Sequence, residues 1–359
     1  MWKPPAQSQA LRWPLVNGRE GMQLYNLARM GLQTLAHNLT GKKCPVNVML
    51  AVTNRCNANC HYCQIPSRPG DDIPLPKMLQ LIDEMADAGT IRLGIWGGEP
   101  LVVDGIGEIV RHAKRRGMYV TMDSNGLAWR ERHAELEALD HVTFALDGTR
   151  ETHEANRGVG TYDRVKDAIP IAAGTEGLAV WTLTVLTKNN LQTIDTVIEE
   201  AEAHGIHCAF QILHHNDVMG TNHDDMMPVN EAYRTAIDQL ISRKKQGAPI
   251  ASSMRYLNYL RSWPDFQKPT QVEKHRGVSC KAGAMYCNVD ADGAVYACSL
   301  MVGKSEAANA LEVGFKKAFD SIPPIPCQGC SSACFTEYNH IYSLDPACIL
   351  EWMKTTRHR

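Results

Sequence analysis

The chain has 359 residues with 37 basic side chains against 39 acidic ones, a net charge of −2 that provides no global positive field to hold a nucleic acid or an anionic membrane. At 44% hydrophobic and 21% charged it has a globular composition, and a chain this long buries about three quarters of its unfolded surface without disulfide staples. No apolar run approaches the roughly 20 residues of a membrane span and the N-terminus lacks a signal peptide's apolar core, so the sequence predicts a cytoplasmic protein with no transmembrane segment, whose 12 cysteines stay reduced and serve metal or redox chemistry.

Residues 22–39 read as a helix with Leu24, Leu27, Leu32 and Leu35 among its apolar positions. Only Arg29 is basic within it, so packing against the domain is expected rather than a membrane-surface role. Residues 46–52 form an apolar run bounded by Pro45 and a polar segment, as a buried strand does. Residues 76–88 place Met78, Leu81, Ile82 and Met85 at helical spacing between a proline and Gly89. A strand at 91–96, a helix at 106–116 closed by Gly117, and strands at 118–122, 141–146, 180–186 and 207–213 continue the alternation. Between the last two, Ile194, Val197, Ile198 and Ala201 share one helix face and Gly205 ends it. Six strands interleaved with helices predict an α/β fold: a parallel sheet with right-handed crossovers, a partial (β/α)6 TIM-like barrel. A polar loop follows, containing His214, His215, Asn216, Asp217, His223, Asp224 and Asp225, then a helix at 231–246 and a loop-rich end with turn chemistry at Asp290–Gly293.

The cysteines divide by position. Cys44 and Cys208 stand alone in apolar stretches and read as small hydrophobes. Cys56, Cys60 and Cys63 lie at the front, and Cys280, Cys287, Cys298, Cys327, Cys330, Cys334 and Cys348 at the back, which points to two separate metal sites. The front group is C-x3-C-x2-C on one loop directly after the first strand. Three thiolates hold three corners of a [4Fe–4S] cubane and leave one iron open to a reactant, whereas zinc bound with His61 as fourth ligand is the alternative.

This loop resembles that of the radical S-adenosylmethionine (SAM) superfamily, with Tyr62 as the aromatic residue before the third cysteine. The resemblance continues over roughly residues 46–215. "WGGEP" places Gly97, Gly98 and Glu99 where the family binds the SAM amino group, and glycines suit a backbone that must approach an amino acid closely. "DSNG" offers Ser124 and Asn125 to the ribose or carboxylate, "ALDG" makes Asp147 a pocket residue, and Arg157 stands where an arginine reaches the SAM carboxylate. All lie at the C-terminal ends of predicted strands, where parallel α/β barrels carry their sites. The resemblance implies reductive cleavage of SAM to a 5′-deoxyadenosyl radical that abstracts a substrate hydrogen atom, with a flavodoxin- or ferredoxin-type electron donor. No catalytic acid or base is assigned.

The rear pattern, C-x12-G-x4-C followed by Cys327-x2-Cys330-x3-Cys334 and Cys348, resembles the SPASM and twitch extensions, which carry one or two auxiliary [4Fe–4S] clusters. Seven cysteines are one short of two full clusters. A zinc ribbon is the alternative for C-x17-C with C-x2-C. The resulting division is an N-terminal helical extension at 1–44, the barrel at 45–215, a helical connector at 216–278 and the auxiliary domain at 279–359. Relatives that modify ribosomal peptides often carry a leader-binding domain of about 80 residues, and with 44 residues before the first strand a small-molecule substrate undergoing oxidation or rearrangement is expected, ahead of a peptide, protein side chain or lipid. A non-enzymatic iron–sulfur or zinc module is the reading from another class.

Overall fold

Residues with alternating burial build the sheet. The structure, a computed structural model, describes residues 19–214, 223–268, 270–272, 277–327 and 329–355. After the helix α1 (Arg19–Thr40), strands β1 (Asn47–Ala51), β2 (Arg92–Trp96), β3 (Tyr119–Ser124), β4 (His141–Ala145), β5 (Ala179–Leu186) and β6 (His207–Ile212) pair in parallel, each with the next. Val48, Leu50, Leu93, Ile95, Val120, Met122, Val142 and Phe144 on one face are fully buried. Met49, Trp96, Thr143 and Leu183 on the other are half-buried, and Asp123 is exposed. Because a strand alternates faces with period two, the first set packs under the helices and the second lines an open lumen.

The crossover helices are α2 (Leu75–Asp87), α3 (Ile106–Arg115), α4 (Arg150–Arg157), α5 (Thr161–Ala173) and α6 (Ile194–His204). Met78, Leu81, Ile82 and Met85 of α2 and Ile194, Val197, Ile198 and Ala201 of α6 are buried as their spacing predicts. The sheet curls without closing. At the β6 edge the chain near Ile250 pairs instead, with Cys208 N–H donating to Pro249 O at 2.9 Å and Ala251 N–H to Cys208 O at 2.8 Å. The fold is the expected partial barrel.

β1 is shared by two halves of the molecule. Its second edge pairs in parallel with β7 (Tyr286–Val289), which pairs antiparallel with β8 (Ala294–Tyr296) and then β9 (Ala308–Asn309). One sheet in the order β9-β8-β7-β1-β2-β3-β4-β5-β6 therefore runs from the auxiliary region into the barrel. The rear is more helical than its turn-rich sequence suggests. α7 (Asn230–Lys245) and α8 (Met254–Arg261) lead to it, and α9 (Ala333–Tyr342) and α10 (Pro346–Thr355) end it. No helix among the described residues is long and apolar enough to cross a membrane.

The reading of α1 needs correction. Leu24, Leu32, Leu35 and Leu39 are exposed, while Asn26 and Thr34 are buried, so the helix packs through a face containing polar residues and leaves a leucine stripe outside. Asn26 donates to Gly117 O at 3.1 Å, Gln33 to Gly89 O at 3.3 Å and Asn38 to Tyr342 O at 2.9 Å, so polar bonds hold this face against the domain.

A buried ion pair ties the cluster loop to the rear. Arg68 forks onto Asp290, whose side chain is 2% exposed. Removing one member of a buried pair strands the other's charge. Arg68→Met is expected to cost about 3–5 kcal/mol of unfolding free energy in urea titrations, and Arg68→Met with Asp290→Leu is expected to recover most of it.

Candidate functional site

The loop carrying Cys56, Cys60 and Cys63 leaves the C-terminal end of β1 and is pinned by backbone. Gly98 N–H donates to Thr53 O at 2.8 Å and Glu99 N–H to Arg55 O at 2.9 Å. A Cβ on Gly97, whose φ is +136°, would stand 2.3 Å from Thr53 O, and one on Gly98 would stand 2.1 Å from Arg55 O. Glycine is required at both positions by this contact alone. On the other side Thr53 Oγ1 donates to Asp72 Oδ1 at 2.5 Å, and His61 N–H donates to Asn156 O at 2.9 Å.

Burial raises all three thiol pKa values, with Cys63 pushed up to about 11, and each is raised further by the charge of another cysteine of the loop or of a nearby acid. Arg157 opposes the rise at Cys60 and Cys63, and three thiols carried on one loop fit three corners of a cubane. Among the described residues no three His, Cys, Asp or Glu side chains converge on a single-ion site. In a cubane each thiolate takes its own iron, so the thiols need not share one ion.

Two buried carboxylates surround the loop. Glu99, fully buried, accepts from Leu101 N–H at 3.0 Å and Ser124 Oγ at 2.8 Å on one oxygen and from Asn125 N–H at 2.7 Å on the other. Its pKa is raised to about 7 by burial, against the pull of those donors. It thus clamps the end of β2 to the end of β3. Asn125 Nδ2 reaches Asn57 Oδ1 at 2.8 Å and lies 3.7 Å from Cys56 Sγ. Asp147, also fully buried, accepts from Tyr62 OH at 3.0 Å, Arg157 Nε at 2.8 Å and Val185 N–H at 2.9 Å. Arg157 stacks over the Tyr62 ring at 5.6 Å, with Nη1 3.9 Å from Cys60 Sγ. Burial works against its charge, but Asp147 holds the guanidinium protonated. His153, facing the same pair, has its pKa lowered to about 4 by burial and the nearby cation, and its neutral Nδ1 accepts from Asp147 N–H at 3.1 Å.

All eight residues predicted to contact SAM therefore gather at the strand ends around the front cysteines. Four of them, Tyr62, Glu99, Asp147 and Arg157, spend their polar groups on one another, on backbone or on the Ser124 hydroxyl.

The seven rear cysteines do not gather together. Cys280, Cys327 and Cys330 line one small cavity with Tyr259 and Asn339. The Cys298 thiol, pushed up by burial, is raised further by the charges of Cys280 and Cys327, and that of Cys330 by Cys298, Cys280 and Cys334, so these thiols are neighbours. Cys287 sits on β7 opposite Val48 at 1% exposure, raised by burial alone. Cys348 donates to Glu337 Oε2 at 3.1 Å. Cys334 opens α9 beside the lumen, where Ala333 N–H donates to Gln211 of β6 at 2.8 Å. Cys280, Cys298, Cys327 and Cys330 thus lie near one another, with Cys334 close to Cys330 through Ser332, which bonds to both sulfurs.

Sequence reasoning missed Asp123. It is the acid on the inner face of β3, open to the lumen, where the Arg92 charge favours its ionised form. The signal was present: Thr121 and Asp123 break an apolar strand at period two. Of the polar loop, His214 meets Gln211, whereas residues 215–222 and the side chains of His223 and Asp224 lie outside the described residues.

Comparison with known proteins follows this geometry. Residues 50–201 match the Radical SAM superfamily. A PqqA peptide cyclase of Bradyrhizobium diazoefficiens is 28% identical over 163 residues, covering 43% of this chain and 43% of the cyclase. The mycofactocin maturase MftC of Mycolicibacterium smegmatis is 26% identical over 281 residues, 76% of this chain and 69% of the maturase. The match thus spans less than half the length of the cyclase. Among solved structures, SuiB of Streptococcus suis bound to S-adenosylmethionine superposes with a TM-score of 0.65 over 85% of this chain and 72% of that one, at 15% identity, a likeness of fold.

Two variants test the cysteine geometry. Gly98→Ala is expected to remove about four irons per chain, measured by iron and sulfide analysis after anaerobic reconstitution, because its Cβ displaces the cysteine loop. Cys298→Ala is expected to abolish the rear cluster's electron paramagnetic resonance signal, while Cys287→Val leaves it intact.

Proposed function

From the premise that the chain belongs to the radical SAM superfamily, we propose that it is an enzyme that removes a hydrogen atom from a peptide or protein side chain. The observation that carries this reading is the pairing of the front cysteine loop with similarity to proteins named for peptide cyclisation and cofactor maturation. These relatives support a peptide over the small metabolite suggested by the 44 residues before β1.

The cofactors are a [4Fe–4S] cluster with SAM and auxiliary iron–sulfur. When bound, the cluster and SAM supply the one-electron chemistry that yields the hydrogen-abstracting radical. Cys56, Cys60 and Cys63 hold the front cluster. The backbone at Gly97 and Gly98, with Ser124 and Asn125, forms the SAM cradle beside Cys56. Tyr62, Glu99 and Asp147 position this cradle through the bonds described above. Arg157 brings its positive charge to the Cys60 side of the loop, where a SAM carboxylate is received. Asp123 stands one residue below the cradle, facing the lumen, and accepts a hydrogen bond or a proton from the substrate.

Cys280, Cys298, Cys327 and Cys330 hold one auxiliary cluster. Four thiolates complete its ligation, leaving no open iron for a substrate, and this supports electron transfer and net oxidation. Electrons enter from a flavodoxin- or ferredoxin-type donor. The division at 44, 215 and 278 stands as our reading of the domains.

Anaerobically reconstituted, dithionite-reduced protein is expected to convert SAM to 5′-deoxyadenosine, measured by chromatography. The Cys56, Cys60, Cys63→Ala triple variant is expected to lose this activity and keep the rear iron. No cleavage, where a control enzyme succeeds in the same assay, overturns the enzyme reading. Mass spectrometry of short peptides encoded beside the gene tests the substrate. SAM cleavage that no such peptide stimulates or couples to counts against a peptide.

A further inference from the structure

A second cavity lies at the opposite end of the barrel from the cysteine loop. Arg92, Tyr119 and His141, the first residues of β2, β3 and β4, roof it with Trp181, and α1, α9 and α10 close it below. Its volume is about 140 Å³. An apolar cavity of roughly 150 Å³ holds a benzene ring. Tyr119, Trp181, Tyr338 and Trp352 supply aromatic walls.

Three polar atoms border this space without a hydrogen-bond partner: Asn26 Oδ1, the Tyr119 hydroxyl and Trp181 Nε1. Asn26 is 7% exposed, and its amide nitrogen is committed to Gly117 O, so its oxygen has nothing to accept from. Buried polar groups are nearly always paired, and three orphans around one cavity point to an occupant. Arg92 adds a charge. Its hydrogen bonds among the described residues run to neutral groups, Asn47 Oδ1 at 2.9 Å, Tyr338 OH at 2.8 Å, Thr121 Oγ1 at 2.9 Å and Met49 Sδ at 3.7 Å, with the Asp123 charge nearby but unbonded, and four bonds leave part of a five-donor guanidinium available. No Asp or Glu lines the cavity among the described residues. The lining therefore offers a cation, two donors, one acceptor and aromatic faces.

We infer that this cavity binds a single-ring aromatic carboxylate carrying a hydroxyl or amino substituent. The ring lies against the Tyr and Trp faces, the carboxylate faces Arg92 with Tyr119 and Trp181 as donors, and the substituent donates to Asn26 Oδ1. Water is the competing occupant, since about four molecules fill the same volume. The site is separate from the cysteine loop, shares the Arg92 charge with Asp123, and its ligand contacts α9 through Tyr338, on the helix that begins beside Cys334 at the lumen.

The probe is 4-hydroxybenzoate, titrated by calorimetry and saturation-transfer NMR against the full, anaerobically prepared chain. Saturable binding is expected, with phenol and cyclohexanecarboxylate at least tenfold weaker because each lacks one recognised feature. Met30→Trp, which fills the cavity from α1, is expected to weaken binding at least tenfold while SAM cleavage and the melting temperature hold. Arg92→Met is expected to do the same to binding. If that variant fails to fold, Met30→Trp still decides. No saturable binding at millimolar probe, equal binding by Met30→Trp or by phenol, or an experimental structure showing only waters in the soaked cavity overturns the proposal.

Discussion

The site depends on one close approach, that of the backbone at Gly97 and Gly98 to Thr53 O and Arg55 O. Separations near 2 Å from a hypothetical Cβ leave no room for any side chain, so the end of β2 and the start of the cysteine loop form one backbone-to-backbone contact. Their order follows from the parallel register, which sets Ala51 beside Trp96 and so brings the two loops out side by side. The glycines therefore have a packing role that precedes any contact with a cofactor.

Around this contact the chain buries charge and satisfies it locally. Glu99 takes three donors from β3 and its own loop, and Asp147 takes Tyr62, Arg157 and a β5 amide. Each carboxylate joins the end of one strand to the loop of another, which stiffens the rim of the barrel where positioning matters. An unpaired charge at such a depth would cost several kcal/mol, so the networks act as units. Arg68 and Asp290 extend the same arrangement to the rear, and the β1–β7 pairing makes it continuous. The two metal-binding regions are thus held on one sheet.

Much of this was legible in the chain. The six strands and the helices α2 and α3 appear within one or two residues of the positions set by their apolar periodicity, because a parallel sheet buried on one face under helices leaves a regular imprint. The lumen was less legible. Asp123 sits in a strand otherwise spent on packing, and its inward direction follows only from register. α1 packs on the domain as its sequence suggests, but through a face that includes Asn26 and Thr34, with Leu24, Leu32 and Leu35 left exposed. The seven rear cysteines were indistinguishable by type, and only proximity sets Cys287, buried on β7, and Cys348, bonded to Glu337, apart from the others.

The sequence by itself determined the six-strand alternation, the C-x3-C-x2-C loop and the strand-end motifs, since these depend on local spacing and on residues whose chemistry is unusual. Only the tertiary structure decided which thiols meet, that Tyr62, Glu99, Asp147 and Arg157 bond to their surroundings, and that β1 joins barrel to auxiliary region. Those are contacts between residues tens to hundreds of positions apart, and a linear pattern carries no record of which distant groups the curvature of a sheet will bring together.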